Sequence, residues 1–206
     1  MATELKKLLL EVRHLALMAT SLIRLRIFKT NCANLEIGSG PFKRNGWLTL
    51  DMCKGADIYW DLRKSLPIAD ASFNKVYCSH VLEHFTFRDL QRLLSEVHRV
   101  MRPGGEFLIV VPDASIYVDA YIGKRNTDQL MGYKPAVISA CRMDILNYMF
   151  YMDGHHRIMF DEESLAFHCK AAGFSECASR SFDPNIDMAE RDYESLYMTC
   201  RKQEKA

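Results

Sequence analysis

The sequence predicts an α/β protein built on a largely parallel sheet, and three observations predict it. Strand-like and helix-like segments alternate through the middle of the chain. Several strand candidates are continuous apolar or β-branched runs, as strands buried on both faces of a parallel sheet are. The first of them runs straight into Gly38-Ser39-Gly40, where missing side chains let a ligand approach the backbone at the carboxyl end of a strand. With 206 residues, 49% of them hydrophobic, the chain has the size of one domain with a sizeable core.

Residues 1–30 are predicted as an amphipathic helix, because Leu5, Leu8, Leu9, Val12, Leu15, Ala16, Leu22 and Ile23 fall on one helical face with the basic residues elsewhere. Six Lys or Arg stand against two Glu up to residue 30, a net of +4. The whole chain carries only +1, which excludes the global basic field of a nucleic-acid binder. The apolar run from Leu8 to Ile27 is broken by Glu11, Arg13, His14, Arg24 and Arg26, so it is neither a membrane span nor a signal peptide. The expectation is a cytoplasmic protein whose first helix packs on the domain; a second reading docks that helix peripherally on the anionic inner face of a membrane.

Strands are expected at 34–37, 47–51, 57–62, 75–79 and 106–111. A helix separates the last two. Thr86 and Asp89 make a capping-box-like start, Leu90, Leu93, Leu94, Val97 and Val100 or Met101 recur at helical spacing, and "RPGG" at 102–105 is a sharp stop. From about 115 to 152 the pattern loosens, with helices around 116–122 and 137–149, an insertion placed to shape a substrate pocket. A further helix begins near Asp161, carries Glu162 and Glu163 in its first turn, and stops at Gly173. Strands at 176–181 and 196–200 complete the sheet. No repeat, low-complexity tract or linker divides residues 31–206, which therefore read as one domain.

Asp51 ends the second strand, where an acidic side chain accepts hydrogen bonds from both hydroxyls of a ribose. With Gly38 and Gly40 it suggests an adenosine-containing ligand. The third glycine of a dinucleotide fingerprint is missing, since Phe42 and Lys43 follow, and only residues 41–46 separate Gly40 from the next strand. That is too short for the helix that cradles a pyrophosphate. Seven cysteines form no C-x-x-C pair and make an odd count, so reduced thiols are expected and no metal is assigned. His80-Val-Leu-Glu83-His84 spells H-x-x-E-H, which as a helix would put two zinc ligands on one face and makes a zinc hydrolase the rival reading. A cofactor-binding scaffold without activity is a third. Met143, Met149, Met152 and Met159 are most simply core, while for His80, Glu83 and His84 a structural or cofactor-ordering role stands level with a catalytic one.

Four blocks in order resemble the class I S-adenosylmethionine-dependent methyltransferases: "LEIGSG" at 35–40, "LDM" at 50–52, "DLRKSLPIADASFNKVYCSHVLEHF" at 61–85 and "HRVMRPGGEFLIVVPD" at 98–113. "FDEESLAFHCKAAGF" at 160–174 is similar to the family's late helix. The resemblance implies a Rossmann-like fold, seven strands with the last antiparallel and helices on both faces, and S-adenosylmethionine as cofactor. Within the family the chain looks closest to small methyltransferases of sugar or polysaccharide modification, which implies O-methylation of a sugar or glycan intermediate; a small non-carbohydrate metabolite is the runner-up acceptor. Carried over by position, Glu36, Gly38 and Gly40 line the amino-acid end of the cofactor, Asp51 holds its ribose, Asp61 and the Leu62 backbone contact adenine, and Ser79 and His80 lie near the methionine portion. One departure is that many members place a full helix between the first two strands.

For an alcohol acceptor the transfer needs a base, and a His near neutral pKa is the usual one. His156 is chosen, on the argument that carboxylates at Asp161, Glu162 or Glu163 orient its ring. His84 competes for the role, and His155 reads as a loop residue.

Overall fold

The structure, a computed structural model, describes residues 2–27, 32–126, 130 and 141–204. Its strands are β1 (Asn34–Ile37), β2 (Trp47–Asp51), β3 (Ile58–Tyr59), β4 (Phe73–Ser79), β5 (Met101–Pro112), β6 (Glu176–Ser179) and β7 (Ser195–Arg201). Its helices are α1 (Ala2–Ile27), α2 (Phe87–Val100), α3 (Ala114–Tyr121), α4 (Arg142–Tyr151) and α5 (Glu162–Ala171). The strands form one sheet in the order β3-β2-β1-β4-β5-β7-β6. All neighbours run parallel except β7, which is antiparallel to both β5 and β6. Strand order reverses between β1 and β4, and that switch point is where ligands of open α/β sheets bind. The part of the expected 137–149 helix at 137–140 lies outside the described residues.

The expected helix starts and stops have visible causes. Thr86 caps α2, its side chain accepting from the Asp89 amide while its hydroxyl donates to the Asp89 carboxylate. Leu90, Leu93, Leu94, Val97 and Val100 are all buried to within 1%, and each such side chain contributes about 1.5–3 kcal/mol of hydrophobic burial. Asp161 caps α5 by accepting from the Ser164 amide. The stop at 102–105 is different from the expectation: β5 begins already at Met101, because Met101 pairs with Phe73 and a register shift between Phe73 and Lys75 absorbs the extra residues.

The two helices that lie on the sheet, α2 and α5, share one face, with Leu90, Val97, Leu165 and Cys169 in a single core. On the opposite face Tyr77, Leu108, Val110 and Tyr197 are covered, among the described residues, by Trp47, Phe182 and Ile186 rather than by a helix. The connections β1–β2 and β2–β3 are too short to add a helix there.

The first helix also departs from expectation. The face chosen for its apolar residues points outward: Leu5, Leu8, Leu9, Val12, Leu15, Leu22 and Ile23 are exposed. The contact runs instead through His14, Met18, Ser21 and Leu25, spaced as one helical stripe. Ser21 accepts the Tyr59 amide at 3.0 Å, and His14 pairs with the Tyr59 hydroxyl. Edge strand β3 thereby gains a partner for an amide that the sheet leaves open.

Candidate active site

At the switch point β1 ends in a turn that only glycine suits. Gly38 adopts φ +70° and Gly40 φ +61°, and a Cβ on Gly38 would lie 2.2 Å from Val81 Cγ2. The Gly38 amide donates to the Leu50 carbonyl at 2.8 Å, and the Gly40 amide donates to Asp51 Oδ2 at 2.9 Å. Asp51 therefore fixes the turn with one oxygen and faces the cleft beside it. That cleft, about 830 Å³, is lined by Gly38, Gly40, Asp51, Asp61, Leu62 and His80 of the expected cofactor residues. Sequence reasoning missed Trp60, Arg63, Thr86 and Arg157, which line it too.

Asp61 forms a two-pronged pair with the Arg63 guanidinium, Nε at 2.9 Å and the second nitrogen at 3.0 Å. Burial pushes its carboxyl up, but the Arg63 side-chain and backbone hydrogen bonds outweigh that and hold it below the usual range.

Glu36 and Ser79 do not line the cleft. Glu36 alternates with the buried Leu35 and Ile37, so its side chain crosses to the other face of the sheet. There it meets Arg44 at 2.9 Å, whose guanidinium also donates to the Ile186 carbonyl. Ser79 hydrogen-bonds Tyr77 on that same far side. The strand's two-residue period puts both side chains on that far side.

A second cavity of about 460 Å³ adjoins the first, and His80 and His84 line both. Its walls come from the insertion and from the segment before β7: Tyr117, Tyr148, Met149, His156, Arg191 and Glu194. The Tyr117 hydroxyl donates to Glu194. No pattern marked Tyr117, and the run Glu190, Arg191, Tyr193 and Glu194 that shares the cavity with it carries no motif spacing.

Where the two cavities meet stands Glu83, 1% exposed, with neither carboxylate oxygen hydrogen-bonded among the described residues. Burial raises its pKa to about 8. His80 Nδ1 lies 3.6 Å and His84 Nε2 3.9 Å from Glu83 Oε1. His80 is lowered to about 3 by burial, with Arg191 adding repulsion. His156 is also lowered by burial, although its hydrogen bond to the Met149 carbonyl works the other way. The structure corrects the reason given for choosing His156: Asp161 is occupied as a cap, Glu162 and Glu163 are exposed, and the carboxylate beside the ring is Glu83. His155 is exposed in the cleft wall, and its carbonyl faces His84 Nδ1 at 3.0 Å.

The H-x-x-E-H stretch does not make the rival zinc-hydrolase geometry. Only Leu82–His84 form a single 3₁₀ turn, His80 stands at φ +51° outside it, and the His80 ring is tied to Ser195 at 2.9 Å. Two histidines on one helical face need a continuous helix, which is absent here.

Residues 51–109 match the model of a methyltransferase domain. An uncharacterized methyltransferase of Synechocystis is 41% identical over 49 residues, which take in 24% of this chain and 23% of that one. Among solved structures, a Thermotoga maritima S-adenosylmethionine-dependent methyltransferase described as a possible histamine N-methyltransferase superposes with a TM-score of 0.52 at 16% identity, over 98% of this chain and 96% of its own. The 1,6-didemethyltoxoflavin-N1-methyltransferase of Burkholderia thailandensis, solved with 1,6-didemethyltoxoflavin and S-adenosylhomocysteine, superposes with a TM-score of 0.53 at 17% identity, over 92% and 79%. At such identities the superpositions speak for the fold, and the sequence match speaks for residues 51–109. Sheet order and strand directions thus give the chain the Rossmann-like fold of S-adenosylmethionine-dependent methyltransferases, and residues 51–109 match a methyltransferase domain in sequence.

Proposed function

We propose that the chain transfers the methyl group of S-adenosylmethionine to a hydroxyl of a small acceptor, a sugar or glycan intermediate in the first instance. The observation that carries this reading is the meeting of two cavities at His80 and His84: one beside the glycine turn and Asp51, the other walled by the insertion. A methyl donor in the first and an acceptor in the second would face each other there. The sulfonium makes the methyl group electrophilic, so the protein has mainly to align donor and acceptor. Gly38 and Gly40 admit the methionine portion, Asp51 offers its remaining oxygen to the ribose, and Asp61 and Leu62 take the adenine. His80 stands by the sulfur end. Glu36 and Ser79 support the turn and strand from the far face. His156 takes the acceptor proton, with His84 as the competing base; loss of such a base costs about 10²–10⁴-fold in rate.

Glu83, Glu194 and Arg191 give the acceptor cavity hydrogen-bonding walls that suit a hydroxyl-rich molecule. Tyr117 and Tyr148 favour a second reading, a flat non-carbohydrate metabolite of the kind bound in the Burkholderia neighbour. On α1, the exposed Leu5, Leu8, Leu9 and Leu15 beside exposed Lys6 and Lys7 support contact with an anionic membrane surface.

The test is formation of S-adenosylhomocysteine from S-adenosylmethionine across a panel of sugar and non-sugar hydroxyl acceptors, with cofactor affinity measured by calorimetry. Asp51→Ala is expected to weaken S-adenosylhomocysteine binding by about 1–3 kcal/mol, because buried partners are left unpaired. Unchanged affinity would remove the ribose assignment. Tight binding with no turnover on any acceptor would favour an inactive scaffold.

A further inference from the structure

We propose that Glu83, His84 and His156 form a three-ligand site for one divalent transition-metal ion, whose open positions take the acceptor's hydroxyl oxygen. The inference rests on the methyltransferase reading above and changes the part of the two histidines from proton acceptors to ligands. An oxygen of Glu83 and a ring nitrogen of each histidine all lie within 4.8 Å of one another. Metal–ligand bonds of about 2.0–2.2 Å would draw them together by side-chain shifts on the order of 1 Å.

The hydrogen positions make the case. His84 Nδ1 faces the His155 carbonyl at 3.0 Å, and His156 Nδ1 faces the Met149 carbonyl at 2.5 Å. A carbonyl only accepts, so each Nδ1 carries the hydrogen and each Nε2 keeps its lone pair. Backbone carbonyls behind ligating imidazoles are the usual way in which metal sites fix tautomer and ring direction. His80 follows the same logic. The Ser195 hydroxyl donates to the Arg191 carbonyl at 2.7 Å, so it accepts from His80 Nε2, and the His80 Nδ1 turned toward Glu83 also bears a lone pair.

The Glu83 oxygens therefore meet lone pairs, and apart from the pull of its own backbone amide neither finds a hydrogen donor among the described residues. A buried carboxyl so placed needs a proton or a cation. One proton bridges two atoms of the cluster, whereas one cation satisfies the carboxylate and both Nε2 atoms together. Two imidazoles and a carboxylate suit zinc, cobalt or iron(II) better than the all-oxygen sites of magnesium and calcium.

An ion there would lie between the donor cleft and the acceptor cavity. A hydroxyl bound to it releases its proton to water more readily, as metal-bound water does. The oxygen lone pair then forms the O–CH₃ bond while the CH₃–S bond breaks, and that bond's electron pair returns to sulfur to leave S-adenosylhomocysteine.

The test uses the full chain freed of metal by chelator and then titrated with Zn²⁺ by calorimetry and with Co²⁺ by visible absorption. One equivalent is expected to bind, with affinity falling at least about 10²-fold in Glu83→Gln, His84→Gln and His156→Gln. His84 is 41% exposed at its side chain, so its replacement leaves the fold intact and decides the matter if the buried variants fail to fold. Cys177→Ser is the control for the other close cluster, Cys169, Cys177 and Cys200, and should bind as the parent does. No stoichiometric uptake, uptake unchanged in His84→Gln, or uptake lost in Cys177→Ser overturns the site. S-adenosylhomocysteine affinity of the metal-free chain is read separately: its absence removes the methyltransferase reading whatever the ion count, and its presence without metal uptake removes the ion site alone.

Discussion

Glu83 shows what burial does to a single residue. Its carboxyl is raised to about 8, so in the absence of a cation the folded chain keeps a proton that the unfolded chain releases near 4.5. Stability is then lost as pH climbs from about 4.5 toward 8. His80 works in the opposite sense: lowered to about 3, it stays neutral in the fold while the unfolded imidazole gains a proton, so stability is lost as pH falls below 6.5. Glu83→Gln removes the first penalty and keeps the shape. In chelator-treated buffer at pH 8 it is expected to be more stable than the parent by on the order of 1–4 kcal/mol. That gain should vanish near pH 4.5, and denaturant unfolding at the two pH values measures both. A gain of the same size at both pH values would show that Glu83 is not held as the buried acid described here. Other residues were legible in the sequence for a simpler reason. Gly38, Gly40 and Asp51 act through the backbone turn next to them, so a short window contains the whole device.

At the scale of elements, α2 and α5 were legible from caps and spacing, while α1 was legible only as a helix. Its packing stripe mixes His14, Met18, Ser21 and Leu25, and two polar members hide it from any count of apolar residues. The leucine face that the count selects stays outside. Deleting α1 would also strip the Tyr59 amide of Ser21, so substitution is the cleaner test of the membrane reading. Leu8→Ser with Leu15→Ser leaves the packing stripe untouched. The parent chain is expected to sediment with vesicles containing anionic lipid, less so as salt rises and the basic residues are screened. The double variant should sediment markedly less. Equal sedimentation of the two would assign the exposed leucines no part in membrane contact.

At the scale of the whole molecule, the reversal of strand order between β1 and β4 places the cleft, and loops from distant segments finish it. A ligand held there binds the folded state alone. S-adenosylhomocysteine at 100 times its dissociation constant should therefore add about 2.7 kcal/mol, or roughly 5–11 °C in melting temperature for a domain of this size. NAD at equal concentration should shift it far less, because no helix follows the glycine turn to hold a pyrophosphate. A thermal-shift measurement with both ligands checks this, and an equal or larger shift with NAD would count against the assignment of the cleft.

What the sequence determined by itself is the alternation of strands and helices, the glycine turn with its aspartate, and the caps of α2 and α5. Each depends on contacts within a dozen residues, which local spacing records. The tertiary structure alone decided that α1 packs through a mixed stripe, and that Glu83 stands among three histidine lone pairs with no hydrogen bond to another described residue. Those outcomes depend on partners far along the chain: Tyr59 for Ser21, Ser195 for His80, and the His155 carbonyl for His84. Burial and hydrogen direction are properties of the assembled surroundings, and no run of neighbouring residues encodes them.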